Sequence, residues 1–182
     1  WIPPDVAVIT AIGPVHLERF GTEERIVEAK SEILGRAPVA VLNVSDSRLA
    51  ALAEQEASRR RVIRAGTDAA ADVAVVDGRL VVEGNVVGPV PPTAHPGNVA
   101  CAAGVLLALG VEVDAGRLAD LREPEHRRTM ATGTSGVTII DDTFNSNPAG
   151  AEAALDALLA TQGGGRRVVV TPGMVELGRR QF

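Results

Sequence analysis

The pair of adjacent acids Asp141 and Asp142 gives the clearest chemical signal in the chain. Residues 139–148 read IIDDTFNSNP, so both carboxylates follow a short apolar run of the kind that forms a buried strand. In open α/β proteins ligands bind beyond the carboxyl ends of the strands, where an acid can hold a ribose or a metal ion. Asn147 before Pro148 is common chemistry for the start of a helix. Helix capping therefore explains those two residues but not the two carboxylates.

Lys30 is the second candidate, and it lies in residues 13–30, GPVHLERFGTEERIVEAK. On a helical wheel of about 100° per residue it falls within an apolar arc. The arc consists of Ile26, Val27, Ala29, Ile33 and Leu34. An ammonium group among these side chains would be desolvated, which costs free energy unless the charge is paired or lost. Two interpretations stay open: the side chain extends to the edge of the helix, or a neutral or modified lysine takes part in chemistry.

The remaining candidates are weaker when each is considered alone. His16 and Glu18 share a turn, but the second histidine of a zinc-protease helix is missing four residues on. Asn98 opens an apolar helix, where capping is the local explanation. Arg127 and Arg128 lie in a polar stretch, where a solvated pair is the plain interpretation.

Composition restricts the class of protein. The chain has 182 residues, 46% of them hydrophobic, and a net charge of −5, so it lacks the basic surplus of a nucleic-acid-binding protein. It contains no apolar run near 18 residues and no signal-peptide pattern, so no membrane segment is expected. Because Cys101 is the single cysteine, no internal disulfide can form, and a reducing cytoplasm is the expected location.

Short apolar runs alternate with helical patterns in the first part of the chain, which predicts a mainly parallel sheet. Strands are predicted at 5–12, 39–44 and 62–65, and helices from the N-cap Thr22 to Gly35 and at 46–59. Residues 71–90 contain turn signals at Asp77-Gly78 and Gly84-Asn85 between β-branched runs. These signals predict an antiparallel meander added to the sheet.

The later part of the chain continues with helices and then changes character. An apolar helix is predicted from Asn98 to Gly110, and a short one within 111–121. The charged stretch 122–136 predicts a domain boundary. Beyond it a second α/β pattern is predicted, with strands at 137–141 and 167–171 and a helix at 148–161.

Five segments in this order and spacing resemble the Mur ligases of peptidoglycan synthesis. They are GPVHLERFGTEERIVEAKSEI, NVACAAGVLLALGV, PEHRRT, DDTFNSNPAGAEAALDAL and PGMVELG. The resemblance implies that residues 1–122 are the latter part of a central ATP-binding domain, a mainly parallel sheet plus the meander. Residues 123–182 would begin a Rossmann-like α/β C-terminal domain. The P-loop of the family would lie upstream of Trp1, so we expect these residues alone to be inactive.

The resemblance also implies that the protein uses ATP and Mg²⁺ and that it has a site for the metal ion. His16 corresponds to a histidine that binds magnesium, and Lys30 to a lysine that many members carry as a carbamate. A carbamate is an oxygen anion, which is the hard donor that magnesium prefers, whereas an ammonium group cannot bind a cation. In the family these metals offset charge on the phosphates during transfer.

Four further positions correspond to nucleotide contacts of the family. Asn98 keeps one residue of a His-Asn-x-x-Asn motif, Arg127 corresponds to an arginine that reaches the phosphates, and Asp142 to the acid that holds the ribose. Asn145 falls where the family lines the nucleotide and the incoming amine, with no firm role.

The best match within the family is to the branch that joins D-alanyl-D-alanine to a UDP-N-acetylmuramoyl peptide through an acyl phosphate, and we expect a monomer. One departure is Gly173, where the family usually has an acid, so the amine stays open. The alternatives are a Mur-type ligase with another amine, including one that extends folate with glutamate, and a non-catalytic nucleotide-binding module or scaffold.

Overall fold

The computed structural model describes residues 3–13, 20–92, 94–121, 129–144, 148–162, 165–171 and 173. The chain divides into two compact units. One comprises Trp1–Gly13 and Thr22–Arg122, and the other Pro14–Gly21 and Glu123–Phe182. The predicted boundary lies in the same stretch of sequence; the assignment of the two parts to family domains stays a prediction.

The first unit is built on a six-stranded sheet whose strands follow one another in chain order. The strands are β1 (Val6–Ile9), β2 (Val39–Asn43), β3 (Arg61–Gly66), β4 (Val73–Val76), β5 (Arg79–Val82) and β6 (Asn85–Pro89). The first four run parallel, with Val6 opposite Val39 and Val39 opposite Arg61. The carboxyl ends of β1, β2 and β3 therefore lie along one edge of the sheet. The predicted mainly parallel sheet is confirmed.

Helices α1 (Glu23–Ser31), α2 (Ser47–Glu56), α3 (Pro96–Ala108) and α4 (Ala115–Ala119) complete the first unit. The apolar runs of the sequence form its core because both faces of the parallel strands are covered. Leu42, Leu49 and Leu80 are fully buried, and Cys101 of α3 lies in the same core as Val41. The prediction that Cys101 is a core residue is confirmed. None of the helices in the described residues is long and apolar enough to cross a membrane.

Two tight hairpin turns form the predicted meander. Strands β4, β5 and β6 pair antiparallel, and only two residues join each strand to the next. Asp77 and Gly78 both have positive φ, as do Glu83 and Gly84. Such turns match the right-handed twist of the strands, and they favour glycine because it has no Cβ. The second turn falls one residue earlier than the predicted Gly84-Asn85.

Helix α1 starts as predicted and ends earlier. The hydroxyl of Thr22 accepts a hydrogen bond from the amide of Arg25 at 3.3 Å, so Thr22 is the N-cap. The α-helix ends at Ser31, and Glu32–Arg36 form a 3₁₀-helix. Because the 3₁₀-helix has three residues per turn, the wheel of the α-helix no longer applies there. Ile26 and Leu34 are buried, but Ile33 is about half exposed, so the continuous apolar arc predicted around Lys30 is wrong at Ile33.

Helix α3 starts two residues before the predicted Asn98. Pro96 occupies the first helical position, where its missing N–H costs nothing. The N-cap is His95, whose Nδ1 accepts a hydrogen bond from the amide of Asn98 at 3.4 Å. Asn98 therefore lies inside the first turn, and its interpretation as the cap is wrong.

The second unit differs from its predicted pattern in two places. Residues Thr129–Thr132, predicted as part of a polar linker, form strand β7, which pairs antiparallel with β8 (Thr138–Asp141). Helix α5 (Pro148–Ala160) follows as predicted. Residues 167–171 do not form the predicted strand. Val170 is 93% exposed, so this apolar run has neither a partner strand nor a covering layer among the described residues.

Candidate functional site

The site lies at the carboxyl end of β1, where side chains from three other elements bind the backbone of residues 10–12. Each of these side chains donates a hydrogen bond to a carbonyl oxygen that the strand leaves unpaired. The pairs are Asn43 Nδ2 to Thr10 O at 2.8 Å, Lys30 Nζ to Ala11 O at 2.8 Å, and Arg48 Nη2 to Ile12 O at 2.9 Å. Three consecutive carbonyl groups thereby have fixed orientations, and Lys30 binds the central one.

Lys30 lies in the last turn of α1, and its side chain is exposed. Beside it is an open cleft of about 380 Å³ that the end of β1 and the face of α1 line. The lysine thus extends past its apolar neighbours to the helix edge, the first of the two interpretations.

One signal for Lys30 lies in the composition and is stronger than the wheel. The chain has 18 basic residues, and Lys30 is its single lysine, since all the others are arginine. A guanidinium group stays protonated and cannot react as a free amine, whereas a lysine amine can lose its proton. The use of lysine at this one position, and of arginine at the other basic positions, is consistent with chemistry that needs an amine.

The geometry of Lys30 fits the carbamate that the family resemblance implies. A carbamate nitrogen keeps one hydrogen, so the bond from Nζ to the carbonyl of Ala11 can persist after modification. The new carboxylate would then present oxygen donors, which Mg²⁺ prefers. Across the described part of the chain, no group of three or more His, Cys, Asp or Glu side chains could hold a metal ion. Among the described residues, modified Lys30 would therefore supply the oxygen donors for the metal ion. The other predicted ligand, His16, lies outside the described residues.

Asn43 connects the end of β1 to the start of α3. It is the last residue of β2 and only 7% exposed, and its Oδ1 accepts a hydrogen bond from the amide of Ser45 at 3.2 Å. A Cβ on Gly97 would lie 2.7 Å from Asn43 Nδ2, and one on Gly66 3.2 Å from Asn43 Oδ1. Because neither glycine has a Cβ, both positions leave space for the side-chain amide of Asn43. Sequence reasoning missed Asn43, because a single asparagine at a strand end carries no periodic signal.

Asn98 lies next to Gly97 in the first turn of α3, and its side chain is exposed. Gly97 is in close contact with Asn43, and Asn43 binds the carbonyl of Thr10. The structure thus brings two predicted site residues, Lys30 and Asn98, to the same edge of the first unit. Ribose and phosphate groups bind at this edge of open α/β sheets.

Asp46 and Arg48 form an ion pair at the start of α2. Asp46 is the N-cap, and its Oδ1 accepts hydrogen bonds from the backbone amide and from Nε of Arg48 at 3.0 and 3.1 Å. Its Oδ2 accepts one from the amide of Ile12 at 3.2 Å. Burial acts to raise the pKa of Asp46, but hydrogen bonds from Arg48 and Ile12 outweigh it and hold that pKa below its usual value. The pKa of Arg48 is raised, chiefly by its hydrogen bond to Asp46.

The predicted residues of the second unit lie at the end of β8. Asp142 directly follows the strand and is half-buried. Asp141 has a local structural role, since its Oδ1 accepts hydrogen bonds from the amide of Thr143 at 3.1 Å and from its hydroxyl at 2.7 Å. Asp142, the second acid of the pair, is the one that the family resemblance assigns to the ribose. Arg127 and Asn145 lie outside the described residues.

Residues 1–86 match the family described as the Mur ligase middle domain. The UDP-N-acetylmuramoyl-tripeptide–D-alanyl-D-alanine ligase of Mycobacterium tuberculosis is 32% identical, over 86% of this chain and 34% of its own length. The UDP-N-acetylmuramoyl-L-alanine–L-glutamate ligase of Salinispora tropica is 34% identical, over 96% of this chain and 40% of its own. The chain thus spans between a third and two fifths of these relatives, whose amine substrates differ.

Two solved structures resemble the chain over 98% of its length. The MurF ligase of Thermotoga maritima in complex with ADP has a TM-score of 0.73 and 28% identity, and the chain covers 44% of it. The MurF of Acinetobacter baumannii has a TM-score of 0.80 and 27% identity, with 42% covered. Both likenesses extend across the two units of the chain.

Proposed function

Since this chain belongs to the Mur ligase family, we propose that it contributes part of the active site of an ATP-dependent ligase that forms an amide bond in peptidoglycan precursor synthesis. The observation that carries the proposal is the hydrogen bond of Lys30, the single lysine, to the carbonyl of Ala11 at the carboxyl end of β1. A structural relative was solved with ADP, which supports ATP as the nucleotide.

The proposed reaction joins D-alanyl-D-alanine to a UDP-N-acetylmuramoyl peptide. The terminal phosphoryl group of ATP passes to a carboxylate of the peptide, which gives an acyl phosphate and ADP. The amine of the dipeptide then attacks the acyl carbon and loses a proton, and inorganic phosphate leaves as the amide forms. The mycobacterial relative carries both substrates in its name, which supports this pair.

Five of the predicted site residues have a proposed role in this scheme. Lys30, as a carbamate, and His16 would hold Mg²⁺, which offsets the negative charge of the phosphates. Asn98 would contact the nucleotide at the edge of the first unit. Asp142 would accept hydrogen bonds from the ribose hydroxyls, and Arg127 would bind the phosphates.

A second candidate is a ligase of the same family that adds L-glutamate. The Salinispora relative supports it, since that protein is named for L-glutamate and aligns with 96% of the chain. Gly173 stands where the family usually carries an acid, so the amine site differs from the usual pattern. Both candidates share the activation step, and they differ only in the nucleophile.

An assay of phosphate release by the full-length protein separates the candidates. With ATP, Mg²⁺ and a UDP-N-acetylmuramoyl peptide, we expect release only when D-alanyl-D-alanine is added. Release with L-glutamate instead would favour the second candidate. Phosphate release that needs no amine would contradict the ligase proposal, and so would the absence of phosphate release with either amine.

Two substitutions of Lys30 test its role. Lys30→Ala should abolish ligation, and a small carboxylate such as acetate should restore part of it by replacing the carbamate oxygens. Lys30→Arg is the matched variant, because it keeps the charge and a donor for Ala11 but cannot form a carbamate. It should stay inactive with or without acetate. Substantial activity in Lys30→Arg would mean that only a cation is required there.

A further inference from the structure

Arg48 contacts both parts of the protein that determine where Lys30 lies. Its Nη2 donates to the carbonyl of Ile12 at 2.9 Å, directly beside the carbonyl of Ala11 that Lys30 binds. Its Nη1 forms an ion pair with Glu23, the first residue of α1. Glu23 and Lys30 are seven residues apart on this helix, so they share one face. One guanidinium thus holds the helix that carries the lysine and the backbone that the lysine binds.

Asp46 orients Arg48 for these two contacts. Its carboxylate accepts from Nε and Nη2 of Arg48 at 3.1 and 3.2 Å. The same carboxylate accepts from the amide of Ile12, so residue 12 is held through both of its backbone polar groups. A planar guanidinium has five donors in a fixed arrangement and can serve three partners at once, whereas an ammonium group is a point charge.

We propose that Arg48, oriented by Asp46, is a positioning residue for Lys30. It fixes the Ala11 carbonyl through its neighbour Ile12 and fixes α1 through Glu23. Its role in catalysis rests on the proposed function of Lys30, since Arg48 acts through that lysine and touches no substrate in this scheme. The placement of the lysine itself rests only on the described contacts.

The chain offers a matched control in Arg64. Its side chain is 40% exposed and forms an ion pair with Glu54, while that of Arg48 is 37% exposed and pairs with Glu23 and Asp46. Both arginines are therefore alike in exposure and in having a glutamate partner, but the side chain of Arg64 makes no contact with residues 10–12 among its described hydrogen bonds. General effects of losing a surface ion pair should appear equally in Arg48→Gln and Arg64→Gln.

The first measurement is the reactivity of the Lys30 amine in the full-length protein. Reductive methylation with ¹³C-formaldehyde labels amines, and the Lys30 signal is assigned by its absence in Lys30→Ala. We expect Arg48→Gln to speed methylation of Lys30 roughly two- to tenfold, the equivalent of one net hydrogen bond, and Arg64→Gln to leave the rate unchanged. Arg48→Lys should resemble Arg48→Gln, because one ammonium group cannot reach both acceptors. Equal rates in wild type and both Arg48 variants, with thermal unfolding showing that they fold, would overturn the proposal.

The second measurement is a double-mutant cycle on ligation. Arg48→Gln alone should lower kcat roughly 10- to 100-fold, as for a misplaced catalytic group, with the KM for the amine little changed. In the acetate-rescued Lys30→Ala background the same substitution should have almost no further effect, because the lysine it positions is absent. An equal loss of kcat in both backgrounds would overturn the positioning role.

The two measurements distinguish this proposal from the proposed function. If Lys30→Ala keeps full activity, the proposed role of Lys30 fails, while the methylation rates still decide whether Arg48 positions it. If Lys30→Ala is inactive and rescued but Arg48→Gln behaves like Arg64→Gln in both measurements, the proposed function stands and the inference about Arg48 is wrong.

Discussion

Replacing Gly97 by alanine tests whether Asn43 links the end of β1 to the start of α3. A Cβ on residue 97 would lie 2.7 Å from Asn43 Nδ2 and 3.5 Å from its Cγ. The first distance is too short for a stable contact, so either the amide or the helix must move. Asn43 is buried, and its Nδ2 binds the carbonyl of Thr10 at 2.8 Å, so the amide cannot move without losing that hydrogen bond.

The expected change in the free energy of unfolding is the sum of one favourable and two unfavourable effects. Alanine is favoured over glycine in a helix by about 1 kcal/mol. A buried amide left without its partner costs about 1–3 kcal/mol, and the added methyl group in a packed site costs about 1–3 kcal/mol. The net destabilisation of Gly97→Ala is therefore about 1–5 kcal/mol. Because a domain of this size loses about 2–4 °C in Tm per kcal/mol, the melting temperature should fall by at least about 2 °C.

Thermal unfolding in two backgrounds provides the assay. In Asn43→Ala the amide that the new methyl group meets is absent, so adding Gly97→Ala should cost little or give the small gain of helix propensity. Gly35→Ala is the control, since a Cβ there meets nothing within 4 Å and its φ is not positive. If Gly97→Ala lowers Tm equally with and without the Asn43 side chain, the link through Asn43 is refuted.

Three further predictions concern single groups. Asp142→Ala should raise the KM for ATP in the full-length protein; an unchanged KM would make this acid structural. Because the folded pKa of Asp46 lies below its ordinary value of 3.8, its stabilisation is complete above that pH and is lost as pH falls through the folded pKa. Asp46→Asn should therefore lower Tm at pH 7, and this difference should shrink progressively as the pH falls below 3.8; a constant difference would contradict this. Burial raises the pKa of Cys101 to about 11, so a thiol reagent at pH 8 should label it only after unfolding, and fast labelling of the native protein would show that the core is open there.

Local patterns in the sequence predicted much of the first unit correctly. The strand runs, the N-cap Thr22 and the first turn of the meander depend on residues within a few positions of one another. The parallel order followed from alternation of strand and helix, because parallel strands need a crossover between them. These features are decided by backbone sterics and short-range hydrogen bonds, which the neighbouring residues set.

Other features depend on partners far along the chain. Strand β7 is polar and weakly patterned, and it forms because β8 supplies its hydrogen bonds. Residues 167–171 have a strand-like composition, yet no described strand pairs with them. A β-strand is a paired structure, so composition alone could not decide either case.

The sequence by itself determined the types of residue at the site and the elements that carry them: a single lysine on a helix after β1, and an acid at the end of β8. Only the tertiary structure decided what surrounds the lysine. Its amine is exposed and bound to Ala11 instead of enclosed by an apolar arc. Arg48, Asp46 and Asn43 hold that segment, although they lie 33 to 36 positions from their partners in the sequence. The physical reason is that backbone groups left unpaired beyond a strand take whichever donors the fold brings near them, and periodicity along the chain carries no information on those donors.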